Sequence, residues 1–543
     1  MPRGRIIAIT SVATVLAVGA AAGGAYYVLH TRGSARETAG HFAEAWARGD
    51  RAAMRADLAA PAAGFDAAYA ELAKNLSVQK TSVKLGEVTD AGNERAKASY
   101  TATLSLADLG AWTYTGSFDL VVKDRHWKVA WTPQAVHPAL DGSTHLALKS
   151  TWPQRAAIED AGGSRVDQGD VGGSVQQLVG YLDKASAKDA ARLGAPYKTG
   201  DVIGKAGLQQ TFQKQLAGVP TTEIVVTDGA KKAVRTLKSI EGFPGTPVRI
   251  SLDPRAQKAA VEGVRKLDKP ASLVAIRPST GEILAVVNNR GGFNRALEGG
   301  YPPGSTFKVI TAAGLLAEGL TPEQKVTCPK SANVGGLPIR NSDHEAFGSL
   351  TFLDSFAHSC NTTFAPLAAQ HLSAAKLYDI ATKMGFNQPL NIGVPVPRGS
   401  MPKATSDAEL AAESFGQARI TASPLVMASV AAAVADGTWR PPTLVTSIKQ
   451  KAQPQQLPGT VAQGLRTMMA AVVTKGTAKR AGLPKGTAGK TGTAQFGTGP
   501  KLDTHAWFIG FRGDVAFAVV VEAGGAGGEV AAPAAARFLR GVG

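Results

Sequence analysis

Three short motifs, in a fixed order, combine residue types capable of acyl transfer. The first is Tyr301-Pro-Pro-Gly-Ser305-Thr-Phe-Lys308-Val-Ile-Thr-Ala. Pro and Gly set Ser305 at the start of an apolar helix, where backbone N–H groups and the helix dipole favour negative charge on or near its oxygen. Lys308, three residues on, shares its helix face. A serine hydroxyl is a poor nucleophile until a base takes its proton, and a desolvated lysine with a lowered pKa can be that base. The second motif is Ser359-Cys360-Asn361, a hydroxyl that can relay a proton and an amide that can hold both substrate and Lys308. The third, Gly489-Lys490-Thr491-Gly492-Thr493-Ala494, reads as an edge strand. Lys490 supplies positive charge, and the Thr491 and Thr493 hydroxyls supply hydrogen bonds to a carboxylate. Gly492 lets substrate approach the backbone closely. The N–H groups of Ser305 and Thr493 would together form an oxyanion hole. Taken singly the motifs are weak, because Ser-x-x-Lys usually marks plain helix surface and Lys-Thr-Gly is usually a turn.

The surrounding pattern supplies elements to hold them. Pro247–Leu252 reads as a strand, 255–267 as a helix, and Ser272–Ile276 with Glu282–Val287 as a hairpin turning at Pro278-Ser-Thr-Gly281. The chain closes with strands at 507–511 and 515–521 and a helix through Leu539. Strands at both ends of a helical middle predict one α+β domain over 245–543. Further upstream, residues 35–76 carry apolar positions at helical spacing, among them Phe42, Trp46 and Leu58. The period then drops to two: Ala96, Ala98, Tyr100, Ala102 and Leu104 alternate with polar residues, as do Trp127, Val129 and Trp131. That is antiparallel sheet with one buried face, and it predicts a domain over 35–140. Thr132–Leu140, with Pro133 and Pro138, reads as a linker, and 150–240 as a third domain of short strands and helices.

Composition narrows the setting. The chain has 543 residues, 44% hydrophobic and 19% charged, the balance of folded globular domains. A net charge of +17 suits an anionic environment such as a membrane surface, a cell-wall polymer or nucleic acid. No zinc-knuckle or aromatic RNA-binding signature accompanies it, so nucleic acid is not expected as a partner. Ile6–Leu29 is 24 residues without a charge, flanked by Arg3 and Arg5, long enough to cross the roughly 30 Å hydrocarbon core. The expectation is a single-pass anchor at 1–32, with Arg3 and Arg5 inside, Tyr26 and Tyr27 at the outer interface and the remainder extracytoplasmic. A cleaved signal ending at Ala20-Ala21-Ala22 is the rival. Cys328 and Cys360 could pair, but nothing in the sequence requires it, and two buried free thiols are the plain expectation.

Other chemistries find less support. A phosphate loop ending in Gly489-Lys490-Thr491 would need Gly at position 484, which is Pro484. His344-Glu345 begins a zinc-protease motif, but Gly348 stands where its second His belongs. The nine His show no metal-ligand spacing, so neither metal nor cofactor is expected. Gly524–Gly528 reads as a loop rather than a nucleotide cradle.

The ordered triplet of Ser-x-x-Lys, Ser-x-Asn and Lys-Thr-Gly resembles penicillin-binding proteins. So do the segments Leu273–Ala285, Phe293–Leu297, Phe415-Gly-Gln417, Ser423–Ala428 and His505–Phe508. Val202–Leu208 is similar to the family's pedestal, or dimerisation, domain, with Gln209 where a Glu is usual and 155–160 a loose match to its entry motif. The helices and curved sheet before it resemble the NTF2-like domain of the methicillin-resistance type. The resemblance implies a monofunctional, class B D,D-transpeptidase that cross-links peptidoglycan stem peptides. Ser305 would form the acyl-enzyme, and β-lactams would inhibit it covalently. A glycosyltransferase or a division or elongation complex would be its partner. A D,D-carboxypeptidase or β-lactamase, with water as acceptor, and a non-catalytic receptor or scaffold are the alternatives.

Overall fold

The computed structural model describes residues 31–168, 172–497 and 502–543. The expected span Ile6–Leu29 and its flanking residues lie outside these. Among the described residues, no helix is long and apolar enough to cross a membrane.

The chain forms two compact units. One comprises the N-terminal part through Gln154 together with Ala185–Asp201 and Gly218–Pro244. Its helices Ala35–Arg48, Arg51–Ala56 and Phe65–Asn75 precede a four-stranded antiparallel meander, Val78–Gly92, Arg95–Leu106, Gly110–Lys123 and His126–Ala130. Ser34 and Glu37 close the first helix with a reciprocal capping box, satisfying two of its free N–H groups. Arg95–Leu106 alternates exposed and buried along its length, as its sequence period requires, and buries Tyr100 and Leu104 against Phe42 and Trp46 of the helices. The buried face of this sheet packs against those helices and against Ala135, Val136 and Leu140, so the stretch read as a linker belongs to the core of this unit. The hydroxyls of Tyr100 and Tyr114 both donate to the carbonyl of Val136, at 3.1 and 2.7 Å. Three further strands, His145–Thr151, Thr221–Thr227 and Ala233–Ile240, form a sheet in this same unit, and Leu146, Ile224 and Val226 join its core.

The second unit is built on a five-stranded antiparallel sheet in the order Ile283–Asn288, Ala271–Ile276, Val515–Val521, Asp503–Arg512, Ala488–Phe496. Helices Pro254–Val264 and Ala531–Val542 pack together against it, as does Pro424–Asp436, which is buried over nearly its whole length. Both hairpin strands are buried at every position, which explains their unbroken apolar run. The strand Ala488–Phe496 stands at the sheet edge, as the third motif predicts.

Residues 155–184 and 202–217 also belong to this unit. Here Gln209 is buried and takes both parts of an amide's repertoire. Its Oε1 accepts from Arg155 Nε at 2.7 Å, and its Nε2 donates to Asp167 Oδ2 at 3.1 Å. A carboxylate at this position could not donate to Asp167, so Gln suits these neighbours where Glu would not.

The cysteines correct the sequence expectation. Cys328 and Cys360 are not free thiols but form a disulfide, with Cα atoms 6.0 Å apart across 32 residues of sequence. The strand Lys325–Cys328 pairs with Gly348–Thr351, and the helix Phe352–His358 then carries the chain back toward Cys328. That return is invisible in spacing alone.

Candidate active site

Gly304–Phe307 forms a 3-10 turn that runs directly into the helix Lys308–Ala317. Gly304 sits at φ +54°, and its N–H donates to the carbonyl of Gly416, itself at φ +75°, at 3.0 Å. A Cβ on Gly416 would lie 2.1 Å from the Gly304 carbonyl oxygen. Both glycines are therefore needed for this turn to hold its place, which accounts for Gly within Phe415-Gly416-Gln417. Ser305 is half-buried while Lys308 is fully buried, so a hydroxyl at the surface of a cleft rests on an amine beneath it.

Lys308 Nζ lies 2.8 Å from Ser305 Oγ, 2.9 Å from the Ser359 carbonyl, 3.2 Å from Ser359 Oγ and 2.5 Å from Asn361 Oδ1. The Asn361 amide is oriented by its own Nδ2, which donates to the Arg340 carbonyl at 2.8 Å. Two of the four partners of Lys308, the Ser359 carbonyl and Asn361 Oδ1, can only accept. A neutral amine has two protons, and these acceptors use both. Its lone pair is left for a hydroxyl. All the acceptors are uncharged, so burial and the facing Lys490 ammonium hold the Lys308 pKa well below its ordinary value.

Lys490 is equally buried. Its Nζ donates to Ser359 Oγ at 2.8 Å and to the Thr491 carbonyl at 3.1 Å, and burial brings its pKa down to about 7. Ser359 Oγ is thus shared between two lysines. Ser359 itself has left-handed backbone, φ 62° and ψ 37°, at the end of helix Phe352–His358, and Asn361 opens the next helix.

The edge strand lies against the Ser305 turn. A Cβ on Gly492 would come within 2.9 Å of Thr306 Cγ2 and 3.0 Å of the Pro303 carbonyl oxygen, so only glycine permits this approach. Thr493 is half-buried beside it, while Thr491 is buried with its Oγ1 2.5 Å from Thr477 Oγ1. The structure therefore gathers Ser305, Lys308, Ser359, Asn361 and Lys490 into one hydrogen-bonded cluster, with Gly492 and Thr493 along its edge. Thr477 was not legible in the sequence; it follows the helix Gly459–Thr474 and carries no motif. Gly527 was also missed as a packing residue. A Cβ there would lie 2.4 Å from the Gly492 carbonyl, so the Gly524–Gly528 loop lies against the edge strand.

Comparison with known proteins bears on this cluster. The penicillin-binding protein transpeptidase domain family matches residues 271–540. A peptidoglycan D,D-transpeptidase, PbpA, of Mycolicibacterium smegmatis is 32% identical over 385 residues, 58% of this chain and 77% of that protein. The chain belongs to the class B penicillin-binding transpeptidases. Its other parts match the same architecture: an NTF2-like N-terminal transpeptidase domain over 34–144 and a penicillin-binding protein dimerisation domain over 170–250. An MrdA peptidoglycan D,D-transpeptidase of Acinetobacter baumannii is 26% identical over 425 residues, 65% of this chain and 62% of that one. Among solved structures, PBP2 of Pseudomonas aeruginosa in complex with WCK 5153 superposes with a TM-score of 0.61 at 25% identity, covering 73% of this transpeptidase and 96% of that chain. Penicillin-binding protein A of M. tuberculosis, solved as its ceftriaxone acyl-enzyme, gives 0.51 at 28% identity, covering 55% and 80%.

Proposed function

We propose that this transpeptidase cross-links peptidoglycan through an acyl-enzyme on Ser305. The observation that carries the reading is the Lys308 amine: two acceptor-only partners occupy its protons and Ser305 Oγ lies 2.8 Å away. Lys308 takes the Ser305 proton as Oγ attacks the carbonyl between the two terminal D-alanines of a stem peptide. The N–H groups of Ser305 and Thr493 receive the developing oxyanion. The bond to D-alanine breaks, and its amine leaves with a proton delivered through Lys308 and Ser359. An amine of a neighbouring stem then attacks the ester, gives its proton to the same pair and frees Ser305. Lys490, Thr491 and Thr493 hold the terminal carboxylate, and Asn361 positions Lys308 and the substrate amide. A β-lactam enters the first half of this sequence and stops at the ester.

The same proposal includes a membrane anchor at 1–32, placing the NTF2-like domain (35–140), the pedestal (150–240) and the catalytic domain (245–543) outside the cytoplasm. The first two then serve as a spacer toward the cell wall, with a glycosyltransferase or a division or elongation complex as partner. Lengthening the chain between Arg32 and Ser34 with Gly-Ser residues tests the spacer. Cellular function should fall while acylation of the purified protein stays unchanged.

The test of the chemistry is gel labelling with a fluorescent penicillin beside Ser305→Ala. A stable band lost only in the variant supports the acyl-enzyme. Labelling retained at another residue overturns it, and rapid release of hydrolysed drug points to a β-lactamase.

A further inference from the structure

Three of the four groups around Lys308 Nζ belong to residues 359 and 361, and Cys360 lies between them. This tripeptide is a junction between two helices. Ser359 ends one in a left-handed conformation that a residue with a Cβ adopts at a cost, and Cys360 stands at the N-cap of the next with no side-chain capping bond. Such a junction has to be held from outside. What holds it is Cys328, buried like its partner and placed at the end of the strand Lys325–Cys328, in register with Gly348. A polar cluster closes round the bridge. Asn341 Nδ2 donates to Thr362 Oγ1 at 2.9 Å and lies 3.4 Å from Cys328 Sγ, and Thr362 Oγ1 donates to the Pro329 carbonyl at 2.7 Å. The next residue back, Arg340, supplies the carbonyl that orients Asn361.

From this we infer that the Cys328–Cys360 disulfide is a positioning device for proton transfer: closed, it sets Ser359 and Asn361 against Lys308, and reduced, it lets the junction relax and acylation slow. The inference rests on the Ser305–Lys308 reading above and adds redox control of the same site. The switching step balances. Two thiol equivalents deliver two electrons and two protons, the S–S bond becomes two cysteine thiols, and the reductant leaves as its own disulfide. An oxidant such as oxidised glutathione reverses it. Because both sulfurs are buried, exchange requires local opening, so the state is set mainly as the chain folds in an oxidising compartment.

The experiment uses the full chain in detergent, oxidised, reduced with a phosphine, and re-oxidised, with Cys328→Ser/Cys360→Ser and Ser305→Ala alongside. The rate of fluorescent-penicillin acylation is measured from pH 5 to 9, roughly the range in which a depressed lysine titrates. Reduction should slow acylation about 10- to 100-fold, the scale of an ångström-level misplacement, and re-oxidation should restore it. The acid limb should also move to higher pH, because water reaching Lys308 weakens the desolvation that holds its pKa down; Lys490 is the charged group that faces it. A fall in melting temperature with unchanged rate and unchanged limb would overturn the inference, leaving the bridge a brace only. If the double variant does not fold, the reduced wild-type chain, checked by circular dichroism, carries the comparison. An oxidised protein that does not label at Ser305 would overturn the nucleophile reading, and this inference with it.

Discussion

Replacing Lys490 with methionine tests whether the two buried lysines form one electrostatic unit. Methionine fills much the same buried space, and the Phe356 ring 5.5 Å from Lys490 Nζ offers it an apolar neighbour. Lys308 and Lys490 reach the same Ser359 Oγ at 3.2 and 2.8 Å, so their charges lie no farther apart than these two contacts laid end to end. Two like charges at about 6 Å repel by about 3 kcal/mol at an effective dielectric near 20. In the proposed mechanism Lys308 is the base and works when neutral; the Lys490 charge favours the neutral form, so removing that charge raises the Lys308 pKa. In Lys490→Met the acid limb of the acylation rate should therefore move to higher pH, on top of any drop in the plateau from losing the proposed carboxylate contact. The assay is the second-order acylation rate against pH with a penicillin reporter. A lowered plateau with the limb unmoved would refute the coupling and leave Lys490 as a substrate contact alone.

The same substitution should raise stability. Lys490 titrates near 7 when folded and near 10.5 when unfolded, so its burial cost is full below pH 7 and fades as pH rises through that window; the gain in melting temperature should be largest below pH 7. Glu413 offers an opposite slope. It is fully buried with neither carboxylate oxygen hydrogen-bonded among the described residues, and burial, with Glu409 nearby, raises its pKa to about 7. The folded chain holds that proton between roughly pH 4.5 and 7, so stability falls as pH rises through this range. Glu413→Gln should remove the slope and be the more stable protein at pH 8, by up to about 3 kcal/mol, with little difference at pH 4; parallel melting curves at both pH values would refute this. Gly492→Ala should cost about 1–3 kcal/mol and slow acylation by at least tenfold, since its Cβ meets Thr306, the Pro303 carbonyl and Trp507 at once. Unfolding by urea and the labelling rate check the two parts separately.

How much of this was legible beforehand depended on the range of the interaction involved. The Ser305–Lys308 pairing could be read directly, because three residues on a helix is one face and needs no tertiary information. The helices and meander of the first unit could be read from periods of 3.6 and two. Glycine at 492 serves substrate approach in the sequence reading, whereas the structure sets it against Thr306, Pro303 and Trp507.

The joining of the three motifs was another matter. Ser305, Ser359 and Lys490 are separated by tens to more than a hundred residues, and local propensity says nothing about their distances. The sheet order decides them, by placing Ala488–Phe496 at an edge where it meets the Ser305 turn. Thr477 and Gly527 reach the site from a helix end and a loop with no chemistry of their own, and only packing assigns them there. Residue types and short spacings singled out the groups with the chemistry to attack, to accept a proton and to bind a carboxylate, the roles proposed above. The tertiary structure decided that two lysines share one hydroxyl in a buried site, which is what depresses their pKa values. It also decided that Cys360 meets Cys328, because desolvation and disulfide pairing depend on neighbours brought from far along the chain.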